Sequence, residues 1–373
     1  MGGALLATLV MAVGFSLSGL LAPLSRAWAL RFGVVDAPGP RKVHDEPTPR
    51  MGGLAVYTSF VAVVTTGFVF APTLSQSGLI HAGFGPAFTA LQEAHRVQSK
   101  LLALLFGSSI AFAVGLADDV LGNHFHVALK AAGQVLAAVV LVLGGVTTSF
   151  LPYEWLNVLL TVLWLVGITN AFNLLDNMDG LCGGVAFVAA LVLFLNAWSL
   201  EEFFIGLVLV AFMGSLLGFL LFNFFHLGGR RLFLGDCGSL FIGFVLGSFT
   251  LLERYVSHAS STLFPVLMPV LVLALPILDT LTVMVIRMKE RRPIYVGDSR
   301  HLSHRLVSLG LTPRQAVLFL CLATFCLGLG ALTLPHASLW RALLILVQCA
   351  GFIALLLILL FVERRREARL SAP

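Results

Sequence analysis

The chain has 373 residues, 58% of them hydrophobic and only 11% charged, with a formal net charge of +5 and a mean hydropathy of +0.98. That balance excludes an ordinary water-soluble domain and indicates an all-α polytopic membrane protein whose partner is the lipid bilayer. Five scattered cysteines without a CxxC pair suggest neither a disulfide framework nor a thiolate metal site, and read as packing residues.

The first residues, MGGALLATLVMAV, have no basic n-region and no small-residue cleavage site, so the first apolar run is expected to stay as a helix. Apolar runs of about 17 to 25 residues predict eleven spans, at residues 4–25, 52–74, 101–118, 127–147, 156–176, 180–199, 203–224, 237–256, 262–286, 314–334 and 338–362. No repeat or water-soluble module interrupts them, so residues 1–373 read as one integral membrane domain with a basic tail at 363–373. Nineteen of the 23 Lys and Arg residues fall on one side of this alternation, including Lys130 and seven between residues 287 and 314. The positive-inside tendency then puts the N-terminus outside and the C-terminus in the cytoplasm. The net positive charge follows from topology and attraction to anionic lipid, and implies no nucleic-acid partner.

Against this background the aspartates form a pattern. Asp118 and Asp119 end the third span, Asp176 and Asp179 lie at the end of the fifth, Asp236 opens the eighth, and Asp279 lies in the ninth, all toward the predicted cytoplasmic face. One such acid can be a helix end wetted by headgroup water, but six converging on one face call for a function. A carboxylate-rich site suits hard divalent cations such as Mg²⁺, which take oxygen ligands and share them with substrate phosphates. A spare carboxylate can orient or deprotonate a nucleophile.

Asn170, Asn173, Asp176 and Asp179 step by three and are expected to ride one helical face, whereas adjacent Asp118 and Asp119 diverge by about 100°. In FLGDCGSLFIG, residues 233–243, Gly235, Asp236 and Gly238 mark a helix N-terminus suited to phosphate. RKVHDEPTPRMGG (41–53), with Lys42 and Arg50, and DSRHLSHRL (298–306), with Arg300, His301, His304 and Arg305, add cations on the same side. Such clusters usually reflect topology alone, and no HExxH spacing supports zinc.

Taken in order, GLADDV, NAFNLLDNMDGL, FLGDCGSLFIG, PILDTL and DSRHLSHRL, with the 41–53 segment upstream, resemble the polyprenyl-phosphate N-acetylhexosamine-1-phosphate transferases, the group containing bacterial WecA, TagO and MraY. The likeness covers roughly residues 36–306. It implies a multi-pass enzyme of the bacterial inner membrane, with its active site at the cytoplasmic face. The enzyme would transfer a sugar 1-phosphate from a UDP-sugar to undecaprenyl phosphate with Mg²⁺ or Mn²⁺, releasing UMP. The implied roles are lipid phosphate and base for Asp118 and Asp119, nucleotide and site geometry for Asn173, Asp176 and Asp179, metal for Asp236 together with Asp119, diphosphate for His301 and His304, and uracil stacking for Phe233. Lys42, Arg50, Asn170, Arg300 and Arg305 complete the substrate-binding set, and a homodimer is left open.

Two departures stand out: Asn177 where the family often has glycine, and Ser303 where it usually has histidine, so Ser303→His is expected to be tolerated. Eleven spans favour the WecA/TagO branch and a UDP-N-acetylglucosamine-type donor over UDP-MurNAc-pentapeptide. Of the rival readings, an ion-coupled transporter places its acids near the midplane of repeated halves, a CDP-alcohol phosphotransferase needs a D-G-x-x-A-R signature that is absent here, and a membrane phosphatase has no need of a nucleotide pocket.

Overall fold

The computed structural model describes residues 2–36, 47–76, 97–255, 264–291 and 301–370. Lys42 and Arg300 lie outside the described residues. The described chain is helical apart from one short ladder: α1 (Gly2–Arg31), β1 (Val35–Asp36), β2 (Thr48–Pro49), α2 (Gly52–Gln76), α3 (Gln98–Leu121), α4 (Val127–Leu143), α5 (Glu154–Leu175), α6 (Leu181–Ser199), α7 (Phe203–Asn223), α8 (Gly235–Leu252), α9 (Met268–Val272), α10 (Ala274–Lys289), α11 (Leu302–Ser308), α12 (Pro313–Leu332) and α13 (Leu339–Leu370). Among the described residues nine helices are long and apolar enough to cross a membrane, and ten if the bent segment 264–289 counts as one span.

Two of the eleven expected spans take unexpected forms. The run at 127–147 yields a helix of 17 residues, about 25 Å at 1.5 Å per residue, shorter than a hydrocarbon core of about 30 Å. The run at 262–286 breaks at Leu273 into two helical pieces bent by 67°. Pro276 explains the break: having no N–H and a ring that crowds the preceding turn, it is accommodated in the first turn of a new helix and not inside a continuous one.

Helix α8 is the axis of the bundle. Every residue in it except Asp236, Leu251 and Leu252 is buried, as expected of a helix that is apolar all round. It packs on α2, α3, α5 and α6. Helix α1 lies along α7, where a side chain at Gly214 or Gly218 would strike the α1 backbone at Met11 or Phe15. Gly214-x-x-x-Gly218 thus brings two backbones together, the small-residue contact that membrane helices use in place of hydrophobic collapse. Large apolar side chains such as Leu9, Leu20, Leu163 and Val347 remain exposed on the outside, as a surface solvated by acyl chains requires.

The antiparallel ladder pairs Val35 with Pro49 and Asp36 with Thr48. Its continuation fastens the chain to the start of α8: Phe233 N–H donates to the Pro49 carbonyl (2.8 Å), and the Gly52 and Gly53 N–H groups donate to the Phe233 and Leu234 carbonyls (2.8 Å each). These bonds fix Arg50 beside Asp236.

Candidate active site

Asp118 and Asp119 do diverge, and their partners differ in kind. Asp119 is fully enclosed and caps α8 from the neighbouring helix: its Oδ1 accepts the Asp236 N–H (3.0 Å) and its Oδ2 the Cys237 N–H (2.9 Å). A carboxylate on the free amides of a helix N-terminus is a favourable placement. Arg50 adds a contact of 3.3 Å to Asp119 Oδ1 and another of 3.3 Å to Asp36. The approach is possible because Gly115, one turn before Asp119, presents no Cβ to the Asp236 carbonyl, and because Gly235 takes φ +78° directly against the Asp119 carboxylate. Asp119 thus accepts three hydrogen bonds, from two backbone amides and Arg50, and holds the start of α8 in place, a structural task beyond the metal-binding role expected from the sequence.

Asp118 points instead to Lys130. The Lys130 ammonium donates to Asp118 Oδ2 (2.8 Å), Asp236 Oδ2 (2.7 Å) and Asn173 Oδ1 (3.1 Å), which uses all three of its donors. Asn173 Nδ2 in turn donates to Asp236 Oδ1 and Ser239 Oγ (both 2.9 Å). Lys130 is the central cation of the site, and sequence reasoning counted it only toward topology. The signal was present in the sequence as the one charged residue of its helix.

Two cavities flank this cluster. One, of about 660 Å³, is polar and is lined by Asp36, Arg50, Asp176, Asn177, Asp179, Phe233, Asp236, His304 and the first residues of α12, among others. The other, of about 840 Å³, has Asp118 and Lys130 at one end and continues between apolar side chains including Leu163, Trp164, Ile168, Ile277 and Leu281. Lys130 lines the second cavity and bonds to Asp236, which lines the first.

The helical ladder expected from Asn170 to Asp179 is interrupted, because α5 ends at Leu175 and Asp176 is its C-cap. Asp176 faces the polar cavity and, among the described residues, has no hydrogen bond or ion pair. Burial, with the nearby carboxylates of Asp236, Asp119 and Asp179, pushes its carboxyl well above the usual range. Asp179 lies beyond the helix, held by Arg231 (2.6 Å) and beside His226 Nε2 (3.1 Å). The Arg231 guanidinium also sits 5.0 Å from the centre of the Phe233 ring. Asn170 is a turn below the cluster, exchanging hydrogen bonds with Gln134 (2.7 and 3.3 Å), and lines the apolar cavity instead of the polar one.

The two histidines separate as well. His301 is buried, with Nδ1 2.7 Å from Asp279 Oδ2, while Asp279 Oδ1 accepts the Leu302 N–H (2.7 Å). That pair anchors α11 on α10, and His301 is absent from the cavity wall to which resemblance assigned it. His304 does line the cavity; burial and the adjacent His301 lower its pKa, against a smaller opposing effect of Asp279. Arg305 is buried in α11 and does not line the polar cavity. Ser303 is 1% exposed, with Oγ 2.5 Å from Asn177 Oδ1, so an imidazole there would have to displace the Asn177 amide toward the cavity that Asn177 lines.

Fold and site together define a helical multi-pass membrane protein with a lysine-bridged carboxylate cluster between a polar and an apolar cavity. The sequence model of glycosyl transferase family 4 matches residues 101–253. Over 336 residues the chain is 32% identical to the Bacillus subtilis (strain 168) protein named "Probable undecaprenyl-phosphate N-acetylglucosaminyl 1-phosphate transferase", covering 88% of this chain and 84% of that one. It is 33% identical over 333 residues to the decaprenyl-phosphate N-acetylglucosaminephosphotransferase of Mycolicibacterium smegmatis, with 82% and 76% covered. With the undecaprenyl-phosphate alpha-N-acetylglucosaminyl 1-phosphate transferase of Escherichia coli (strain K12) it shares 28% identity over 300 residues, with 80% and 76% covered. The chain belongs to this family, the polyprenyl-phosphate N-acetylhexosamine-1-phosphate transferases of WecA/TagO type.

Proposed function

We propose that the protein transfers N-acetylglucosamine 1-phosphate from UDP-N-acetylglucosamine to undecaprenyl phosphate at the cytoplasmic face of the bacterial inner membrane, releasing UMP, and that the whole chain is one transferase domain. The observation that carries this reading is Lys130. It bonds at once to Asp118, in the wall of the apolar groove, and to Asp236, in the wall of the polar cavity. A soluble nucleotide-sugar and a lipid phosphate need two such compartments meeting at one cationic point. The relatives' names, each joining a polyprenyl phosphate to N-acetylglucosamine, favour this donor over UDP-MurNAc-pentapeptide. Carboxylates gathered at helix ends argue against a transporter, whose acids lie near the midplane.

In this reading an oxygen of the lipid phosphate attacks the phosphorus that bears the sugar. The bond from that phosphorus to the bridging oxygen breaks, and UMP departs with the electron pair. Phosphoryl transfer needs positioning and charge neutralisation above all. Lys130 receives the acceptor phosphate by giving up one of its three present acceptors, Asp118 orients it and takes its proton if it arrives singly ionised, and Arg50 and His304 face the diphosphate. Phe233 offers a ring to the uracil.

Asp176 and Asp236 fit a hard divalent cation, Mg²⁺ or Mn²⁺. Both line the donor cavity with oxygen donors, and the carboxylates of Asp36, Asp118, Asp119, Asp176 and Asp236 outnumber the two cations, Arg50 and Lys130, that contact this cluster. Among the described residues no three His, Cys, Asp or Glu side chains converge as a metal site, so the other ligands would be substrate phosphate and water. When bound, such an ion supplies positive charge to the diphosphate oxygens.

The test is incubation of the purified protein with labelled UDP-N-acetylglucosamine, undecaprenyl phosphate and Mg²⁺. UMP release that depends on the lipid supports the reading; release without lipid, or none at all, defeats it.

A further inference from the structure

The cluster of side chains fastening α11 has a member that neither the carboxylate site nor the Asp279 anchor explains. Ser303 Oγ lies 2.5 Å from Asn177 Oδ1, a contact between residues 126 positions apart. The amide of Asn177 is oriented by a second bond, Nδ2 donating to the Leu174 carbonyl at 3.0 Å. With the nitrogen thus committed, Oδ1 is left to accept and the serine hydroxyl to donate. Ser303 spends its hydroxyl across the chain and not on its own helix, and it does so while almost wholly buried.

The positions of the pair matter more than its strength. Asn177 follows Asp176 directly and Ser303 precedes His304 directly, while Asp176, Asn177 and His304 all line the polar cavity. The clasp therefore joins the turn after α5 to the start of α11, one peptide away from a candidate site residue on each side. Asp279 and His301 pin the start of α11 to α10, and α11 also packs on α12 and α13, but none of these contacts ties it to the turn after α5. A second fastening on the opposite wall sets the distance between His304 and the carboxylates. Asn177 and Ser303 are also the two positions at which the chain departs from the motifs it otherwise follows, and here they face each other.

We infer that Asn177 and Ser303 form a positioning clasp that holds His304 at the working distance across the nucleotide-sugar cavity, an inference that rests on the transferase reading above. Ser303 does not line the cavity and reaches the reaction only through its neighbours, so removing its hydroxyl should slow transfer without dismantling the fold. A neutral hydrogen bond of about 0.5 to 1.5 kcal/mol corresponds to a change of about two- to tenfold.

The experiment compares wild type, Ser303→Ala, Asn177→Ala, the double variant, His304→Ala and Ser303→Ala/His304→Ala as purified proteins. For each, kcat and KM for UDP-N-acetylglucosamine are measured in the lipid-dependent UMP assay, alongside the melting temperature. The expected result is a loss in kcat of about two- to tenfold for each clasp variant, with a smaller change in KM. The double variant should be no worse than the poorer single, and Ser303→Ala should have no further effect once His304 is alanine. Additive losses in the double variant, or an undiminished effect of Ser303→Ala in the His304→Ala background, would overturn the clasp. So would wild-type kcat in both single variants. If Ser303→Ala fails to fold, Asn177→Ala alone and with His304→Ala repeats the comparison from the half-buried partner. A wild-type protein without lipid-dependent UMP release would instead reject the transferase reading, which keeps the two failures apart.

Discussion

Replacing Lys130 by methionine tests the centre of the site most directly. The change keeps an unbranched stem of similar reach and removes the ammonium, which donates to Asp118, Asp236 and Asn173 within 3.1 Å. The Lys130 side chain is 17% exposed and its carboxylate partners 19% and 25%, so screening by water is limited. Hydrogen bonds to charged groups contribute about 1.5 to 3 kcal/mol each, and removing one partner of a buried ion pair costs about 3 to 5 kcal/mol because the other charge is left uncompensated. Part of that cost falls on the ground state, where Asp118 and Asp236 take up protons or recruit cations. The part realised as the phosphates come together should resemble the loss of one preorganised stabiliser, about 10² to 10³ in kcat. Lys130→Arg should recover part of the activity, since a planar fork keeps the charge but does not reproduce three bonds radiating from one nitrogen. The assay is lipid-dependent UMP release by protein that elutes as a single folded species in detergent. A Lys130→Met enzyme within about threefold of wild-type kcat, far short of the loss expected of such a stabiliser, would refute the assignment of Lys130 as the cation shared by both substrates.

Asp236→Asn should lower kcat by about 10² or more while leaving α8 in place, since its cap is Asp119; near-normal turnover with unchanged Mg²⁺ dependence would remove Asp236 from the site. Phe233→Ala should raise the KM for UDP-N-acetylglucosamine about tenfold, from a stacking contribution of about 1 to 3 kcal/mol, and an unchanged KM would return Phe233 to a packing role beneath Arg231. Because burial and His301 lower the pKa of His304 in the free protein, whereas a bound diphosphate would raise it, binding at a pH between the two values should take up a proton and tighten as pH falls. Calorimetric titration of UDP-N-acetylglucosamine in buffers of different ionisation enthalpy checks this, and heats that His304→Ala leaves with the same buffer dependence as wild type would count against His304 as the group that protonates.

Much of the fold was legible because burial in lipid imposes a length on every apolar run. Nine helices lie close to their expected positions, and even the broken segment carried its sign in Pro265, Pro269 and Pro276. What the runs do not encode is the short α11 or the β1–β2 ladder, whose stability comes from partners distant in sequence: Asp279 and Asn177 for the first, the Phe233–Leu234 backbone for the second. A period-based reading sees neighbours three or four apart. It cannot see that Asp119 ends on the amides of Asp236 and Cys237, 117 and 118 positions away.

The acids of the site were easier to find than its cations, for a physical reason. An aspartate at a membrane helix end has little reason to be there except function or a partner, so six of them are conspicuous. A lysine or arginine at the same end has a second reason, because positive charge is favoured in short loops on that side whatever the protein does. Arg231 was therefore indistinguishable from a topological charge by position alone, and Lys130 was counted with such charges despite lying inside a helix, although Lys130 bridges Asp118 to Asp236 and Arg231 holds Asp179 while lying over Phe233. The same ambiguity works in reverse for Arg305, grouped with the site by its motif yet buried away from the cavity. In a membrane enzyme of this kind a carboxylate can be nominated from sequence spacing, but a cation must be judged by where its nitrogen ends, and at Lys130 three acceptors within 3.1 Å leave none of its donors free.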